Sequence, residues 1–336
     1  MQDYDVLVLN DYQLQSGETL PAVQVAYKTY GTLDGNRRSV IIFPTHYSGR
    51  HSDNAWLIGP GKALDPERYF IVVPNMLGNG ISTSPSNTPA PHGRGAFPHV
   101  TIYDNVALQH RLVTEVFGVE RLALVVGFSM GAQQAYQWAV SYPDLVERIA
   151  PICGSARTSP HNVVFIEGVT AALKADATWH EGWYDEPPLR GLRALGRVWA
   201  GWGVSQAFYR QEVYLEQGYV SLEDYIVRAW ESPYLSWDAN DLLAMAWTWQ
   251  HADIGAVQDF DGDIDRALRS IRAHSLVMPC ATDLYFPPED SVYEVEHIPG
   301  AELRPIPSVW GHIAGGGSNT ADAMFIDGNL KEWLAW

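Results

Sequence analysis

A pentapeptide of the form G-x-S-x-G, Gly127-Phe128-Ser129-Met130-Gly131, separates two segments of different character. Residues 122–126, Leu-Ala-Leu-Val-Val, are an unbroken apolar run of strand length. Residues 132–139, Ala-Gln-Gln-Ala-Tyr-Gln-Trp-Ala, have the composition of a helix. A chain that passes from strand to helix through five residues must turn sharply. The glycines clear side chains from the turn, and the serine between them is held in a strained backbone region with its hydroxyl exposed. Alone, the pentapeptide reads as a Gly/Ser turn. With a strand before it and a helix after it, it reads as a nucleophile elbow, and Ser129 as the candidate nucleophile.

The remaining pattern gives the fold class. Val23, Val25, Tyr27 and Thr29 alternate with Gln24, Ala26 and Lys28, a period of two that suits a strand with one buried face, such as an antiparallel edge. Residues 39–43 and 69–73 are short apolar runs of the kind found in buried parallel strands. Residues 104–117 predict a helix ahead of the elbow strand. Strands alternating with helices predict an α/β protein with a mostly parallel sheet. From about 159 to 270 the texture changes. Eight of the 13 tryptophans fall there, and helices are predicted over 192–202, 222–229 and 238–250, before strand signals return at 274–278. The predicted organisation is a core of residues 1–158 and 271–336, with 159–270 as a helical cap. Most of the cap tryptophans are expected to pack helices together, and one or two to line an apolar acyl pocket.

Composition narrows the partners. With 336 residues, 46% of them hydrophobic, the chain can bury a large core. A net charge of −17 repels phosphate backbones and anionic lipid, so neither nucleic acid nor a membrane surface is expected as a partner. Cys153 and Cys280 are far apart and form no metal-ligand pattern, so they read as buried free thiols of a cytoplasmic protein. Residues 1–5 lack a basic, apolar leader, and no apolar run has the length of a membrane helix. No phosphate loop, dinucleotide fingerprint or His/Cys/Asp cluster points to a cofactor or metal.

A serine hydroxyl needs a base, and the base an orienting acid, in the chain order Ser, Asp/Glu, His. Asp283 follows the predicted strand at 274–278, and His312 follows a predicted final strand at 301–307. Asp290 and Glu289 are the rival acids, but they fall where a helix would begin and read as first-turn charges. His297 and His274 are the rival bases, at the end of a helix or the start of a strand. The plain reading of Asp283 is a turn residue capping the next helix. Two N–H groups should hold the oxyanion. Met130, after the nucleophile, supplies one. Tyr47 in the loop 43–49 is the first choice for the other, with His46 as the near alternative; His46 otherwise reads as a loop residue bonded to backbone. Gly315-Gly316-Gly317 predicts a flexible loop beyond His312.

A longer set of residues resembles the homoserine O-acetyltransferase family of α/β-hydrolase-fold proteins. It runs through Pro74-Asn75-Met76-Leu77-Gly78-Asn79-Gly80, Ser84-Pro85-Ser86-Asn87, Phe97-Pro98, Thr101-Ile102-Tyr103-Asp104-Asn105-Val106 with Gln109, and the elbow with 134–139. It returns at Asp238-Ala239-Asn240 and Asp283-Leu284-Tyr285-Phe286-Pro287-Pro288. The resemblance implies an α/β-hydrolase fold, an acyl-enzyme on Ser129, a triad completed by Asp283 and His312, and a homodimer. Two departures stand out. In the transferases, the residue after the catalytic histidine is an aspartate that grips the substrate's amino group; here it is Ile313. They also use a cap arginine for the substrate carboxylate. Ungapped alignment puts Gly196 there, with Arg197 beside it. An ammonium beside an isoleucine would be desolvated and unpaired. The expectation is therefore a serine carboxylesterase for short-chain, chiefly acetate, esters. The alternatives are an acetyl-CoA-dependent O-acyltransferase such as homoserine O-acetyltransferase, and a non-enzymatic binding module on the same fold.

Overall fold

The computed structural model describes residues 2–35, 37 and 39–335. An eight-stranded sheet runs in the order β1-β2-β4-β3-β5-β6-β7-β8. Its strands are β1 (Asp5–Gln13), β2 (Thr19–Tyr30), β3 (Val40–Ile42), β4 (Phe70–Pro74), β5 (Leu124–Phe128), β6 (Arg148–Ile152), β7 (His274–Val277) and β8 (Glu302–Leu303). β2 is antiparallel to both β1 and β4, and every later pairing is parallel. The alternating strand at 23–29 therefore lies one place in from the edge, with β1 outside it. The predicted final strand shrinks to two residues plus an isolated bridge between Cys280 and Ile306.

The apolar runs are buried because helices cover both faces of the sheet. Val40, Ile42, Val72, Val125 and Ile149 join the core on one face. Their neighbours Ile41, Ile71, Val73, Leu124, Val126 and Ala150 join the core on the other. Period-two geometry sends adjacent residues of one strand to opposite sides.

Helix α1 (Ile102–Arg111) starts where Thr101 and Asp104 close a capping box, each side chain accepting a backbone N–H from the other residue. The predicted helix at 104–117 continues past α1 as a wider π turn, Leu112–Val116. Helix α2 (Met130–Ser141) follows the elbow and is buried almost throughout. Between β6 and β7 the described residues form helices and one isolated antiparallel bridge, Arg157 to Asp253. The helices include α3 (Pro160–Lys174), α4 (Leu189–Gly203) and the helix Ala239–Gln250, which Asp238 caps by accepting from the N–H groups of Asn240 and Asp241. α3 packs on both α4 and Ala239–Gln250, whereas the last helix of the segment, Ile264–Ser270, packs on α2 and on Pro288–His297.

Candidate active site

The elbow is as tight as its glycines suggest. Ser129 has φ 57° and ψ −123°, a strained backbone region for a non-glycine residue. A Cβ on Gly127 would lie 2.1 Å from the carbonyl carbon of Gly131, and one on Gly131 would lie 2.8 Å from the Pro44 oxygen. The first contact lets strand and helix fold back on each other. The second lets the loop after β3 approach the nucleophile.

Three sequence-predicted residues meet here. His312 Nε2 lies 2.9 Å from Ser129 Oγ, and its Nδ1 lies 2.7 Å from Asp283 Oδ2. Asp283 Oδ1 accepts from the backbone N–H groups of Tyr285 (3.1 Å) and Phe286 (3.0 Å). The carboxylate therefore has one oxygen fixed by its own turn and the other free to orient the imidazole. Ser129, Asp283 and His312 are 3%, 4% and 4% exposed, so charge developing at this site interacts in a medium largely cleared of water.

The rivals lie elsewhere. Glu289 and Asp290 occupy the first turn of the helix Pro288–His297. His297 ends that helix, bonded to the Tyr293 carbonyl oxygen, and His274 is an exposed residue at the start of β7.

Among the described residues, neither the Met130 nor the Tyr47 backbone N–H has a hydrogen-bond partner. The loop that carries Tyr47 is pinned in place. Gln134 Nε2 donates to the carbonyl oxygens of Thr45 (2.9 Å) and Met130 (3.1 Å), and Thr45 Oγ1 accepts from the Met76 N–H. Gln109 holds Gln134 Oε1 and itself accepts from the Trp138 indole. Gln109 and Gln134 were legible only as parts of a motif. The signal for the role of Gln134 is its place one helical turn beyond Met130 on α2.

His46 meets backbone, as its plain reading supposed, through its carbonyl oxygen, which accepts from the Gly49 N–H (2.9 Å), while its ring has no hydrogen-bond partner among the described residues. Its ring meets Phe128 edge-on at 5.0 Å. Burial, with a smaller contribution from the His312 charge, pushes its pKa down to about 4 against the opposing pull of Asp53. The triple glycine also differs from its expectation. Residues Gly311–Gly316 form a 3-10 turn that packs tightly. A Cβ on Gly315 would lie 2.7 Å from both Cys153 Sγ and Phe128. Cys153 and Cys280 are free and buried, and burial pushes both thiols up, Cys280 to about 11.

Aromatic rings close over the triad. Tyr285 lies 4.3 Å and Phe286 5.4 Å from the His312 ring. Trp199 of α4, Trp249 and Phe165 of α3 pack in turn on Tyr285. Ile313 packs into the same apolar cluster. Arg197 turns away to pair with Glu223 and Glu231. At Gly196, even a Cβ would lie 2.3 Å from the Trp230 carbonyl oxygen, so α4 excludes any longer side chain there. Among the described residues, no group of three or more His, Cys, Asp or Glu is placed to hold a metal ion, and no helix is long and apolar enough to cross a membrane.

Comparison with known proteins decides the family. The model of the alpha/beta hydrolase fold matches residues 40–314. The chain belongs to the alpha/beta hydrolase family. Within it, a protein of Corynebacterium glutamicum named as a probable esterase is 39% identical over 98% of this chain and 95% of its own length. The ethyl acetate hydrolase of Pseudomonas veronii is 37% identical over 99% of this chain and 95% of its own. The structure of the acetyl esterase MekB superposes with a TM-score of 0.97 at 37% identity, over 99% of this chain and 97% of that one. A homoserine O-acetyltransferase of Nostoc punctiforme is 33% identical over 90% of this chain and 89% of its own. Of these relatives, the three at 37–39% identity carry esterase names, and the transferase is less similar, at 33%.

Proposed function

We propose that the protein is a serine carboxylesterase that hydrolyses short-chain esters, chiefly acetates. The observation that carries the reading is the unbroken relay from Ser129 through His312 to Asp283 at 2.9 and 2.7 Å. The esterase names of the relatives point the same way. In this mechanism Ser129 Oγ attacks the ester carbonyl carbon while His312 Nε2 takes its proton. Asp283 holds the imidazole with Nε2 toward the serine and offsets its charge once protonated. The N–H groups of Met130 and Tyr47 hold the oxyanion of the tetrahedral intermediate. That intermediate collapses as His312 returns the proton to the departing alcohol. Water, deprotonated by the same imidazole, then attacks the acyl-enzyme, and the acid leaves. Residues 159–270 act as the cap that excludes bulk water.

Acetyl transfer to homoserine is the second reading, favoured by whole-chain similarity to the transferases. Against it stand Ile313 after the histidine, Arg197 already paired with two glutamates, and the lack of room at Gly196. A homodimer in a reducing compartment completes the proposal, on the family resemblance and the two free thiols. Light scattering tests the dimer.

The activity is tested by offering the protein ethyl acetate or acetyl-CoA, each with homoserine present, and identifying the products. Acetate from ethyl acetate without O-acetylhomoserine from either donor is expected. O-acetylhomoserine formed from acetyl-CoA would make the transferase reading the better one.

A further inference from the structure

The acid and the base of the relay lie on separate segments, and the sheet does not join them. β7 and β8 pair through two residues each, and the pairing ends at the bridge between Cys280 and Ile306. Among the described residues, no backbone–backbone hydrogen bond links residues 281–286 to residues 307–316. The 2.7 Å approach of Asp283 to His312 is therefore set by side chains. One hydroxyl spans the gap. Thr282, the residue before Asp283, donates from Oγ1 to the Ser308 carbonyl oxygen (2.8 Å). The same Oγ1 accepts the N–H of Gly311 (3.2 Å), the residue before His312. Gly311 is left-handed at φ 61°, and a Cβ there would lie 2.8 Å from the Ser205 backbone nitrogen, so packing fixes where its amide points. The other holds on this segment come from elsewhere in the chain. Ser205, just after α4, donates to the Val309 carbonyl oxygen (2.5 Å). Ser308 Oγ accepts from the Trp310 N–H (3.1 Å) and donates to Asp322 of the helix Thr320–Leu334 (2.7 Å). From the acid side, the Cys280 thiol adds a weak donor, 3.6 Å from the Ser308 carbonyl oxygen.

We propose that Thr282 is a positioning residue of the hydrolytic site: its hydroxyl clamps the segment of the base to the turn of the acid, and so sets the Asp283–His312 spacing. The inference rests on the esterase reading. Asp283 is otherwise tied only to its own turn, through the Tyr285 and Phe286 N–H groups. Without the clamp, the Asp283–His312 bond would have to hold two segments in register while the imidazole gains and loses its proton. A hydroxyl donates and accepts through one atom, which valine, of the same shape, cannot do. A displacement on the order of 1 Å in a reacting group costs up to about 100-fold in rate.

The test compares two variants on 4-nitrophenyl acetate. Thr282→Val keeps the branched shape and loses both bonds; Thr282→Ser keeps both bonds and loses a methyl group. Thr282→Val is expected to lower kcat by about 10- to 100-fold with KM changed by less than about threefold. Thr282→Ser is expected to keep kcat within about threefold of the wild type. The low-field proton NMR signal of the His312 Nδ1–H, shared with Asp283, should persist in the wild type and Thr282→Ser and broaden or vanish in Thr282→Val. A loss of general stability alone would not single out that proton, and circular dichroism reports whether each variant is folded. Hydrogen exchange of the wild type needs no variant: the Gly311 amide, bonded to Thr282 Oγ1, should be protected. Free exchange of that amide would overturn the clamp. So would wild-type kcat and an unchanged signal in Thr282→Val, or a Thr282→Ser as impaired as Thr282→Val; each of these leaves the esterase standing. A wild type that neither turns over the ester nor carries an acyl group on Ser129 would overturn both.

Discussion

At the residue scale, Asp283 has the most constrained role of the three relay residues. Its Oδ1 needs donors and finds the Tyr285 and Phe286 N–H groups; its Oδ2 needs the His312 Nδ1–H. Asparagine cannot satisfy both sides. With its amide nitrogen toward His312 it favours the wrong imidazole tautomer, and with it toward the turn it sets donor against donor. Asp283→Asn is therefore expected to lower kcat/KM for a short-chain acetate by about 10³–10⁴-fold while the protein stays folded by circular dichroism. A loss below tenfold would argue that another group orients the base. This residue was readable in the sequence because the chain order Ser, Asp, His follows from strand positions. The pinning of the 43–49 loop by Gln134 and Gln109 was not readable, since it joins side chains from three separate segments.

At the element scale, the elbow and its strand–helix context were legible because they are local. Five residues, an apolar run and a helical run determine one another. Elements that depend on distant partners were less so. The strand at 23–29 has the alternation of an edge but lies inside β1, because alternation reports one buried face and says nothing about neighbours. The triple glycine reads as a flexible loop until Cys153 and Phe128 are seen to press against Gly315. Two glycine substitutions separate close packing from backbone freedom. Gly127→Ala places a methyl group 2.1 Å from the Gly131 backbone and is expected to cost about 2–3 kcal/mol, with loss of activity as the serine shifts. Gly328→Ala, on the helix Thr320–Leu334 with nothing within 4 Å of the new Cβ, is expected to stabilise by about 0.5–1 kcal/mol. Urea unfolding of the two variants checks both signs.

At the scale of the whole molecule, the α/β architecture was legible from alternating runs, and the helical segment between β6 and β7 from its change of texture. Which of its rings pack toward His312 through Tyr285 was not, since one tryptophan that packs helices looks like another that lines a pocket. The fold also buries a carboxyl where no sequence pattern marks it. Glu294 accepts from the Tyr136 hydroxyl and the Ala156 N–H, tying the helix Pro288–His297 to α2 and to the turn after β6. Burial, opposed by those two bonds, raises its pKa from the ordinary 4.5 to about 8. Between those values the folded state holds a proton that the unfolded chain has lost. The contribution of Glu294 to stability is then fully present below about pH 4.5 and is lost as pH rises toward 8. Glu294→Gln mimics the protonated form. It is expected to change stability near pH 5 by no more than about 1 kcal/mol and to exceed the wild type at pH 8 by about 4 kcal/mol. Urea denaturation at the two pH values reads this directly, and parallel wild-type and variant curves would contradict it.

The central claim is that Ser129 carries the acyl group between two half-reactions. Its most direct test is rapid-quench mass spectrometry of the protein mixed with 4-nitrophenyl acetate, with peptide mapping of any adduct. The account predicts an acetyl group on Ser129 that appears within the first turnover and decays at the rate of acetate release. It also predicts neither adduct nor turnover in Ser129→Ala. An acetyl group mapped to another residue, or hydrolysis that persists in Ser129→Ala, would contradict it.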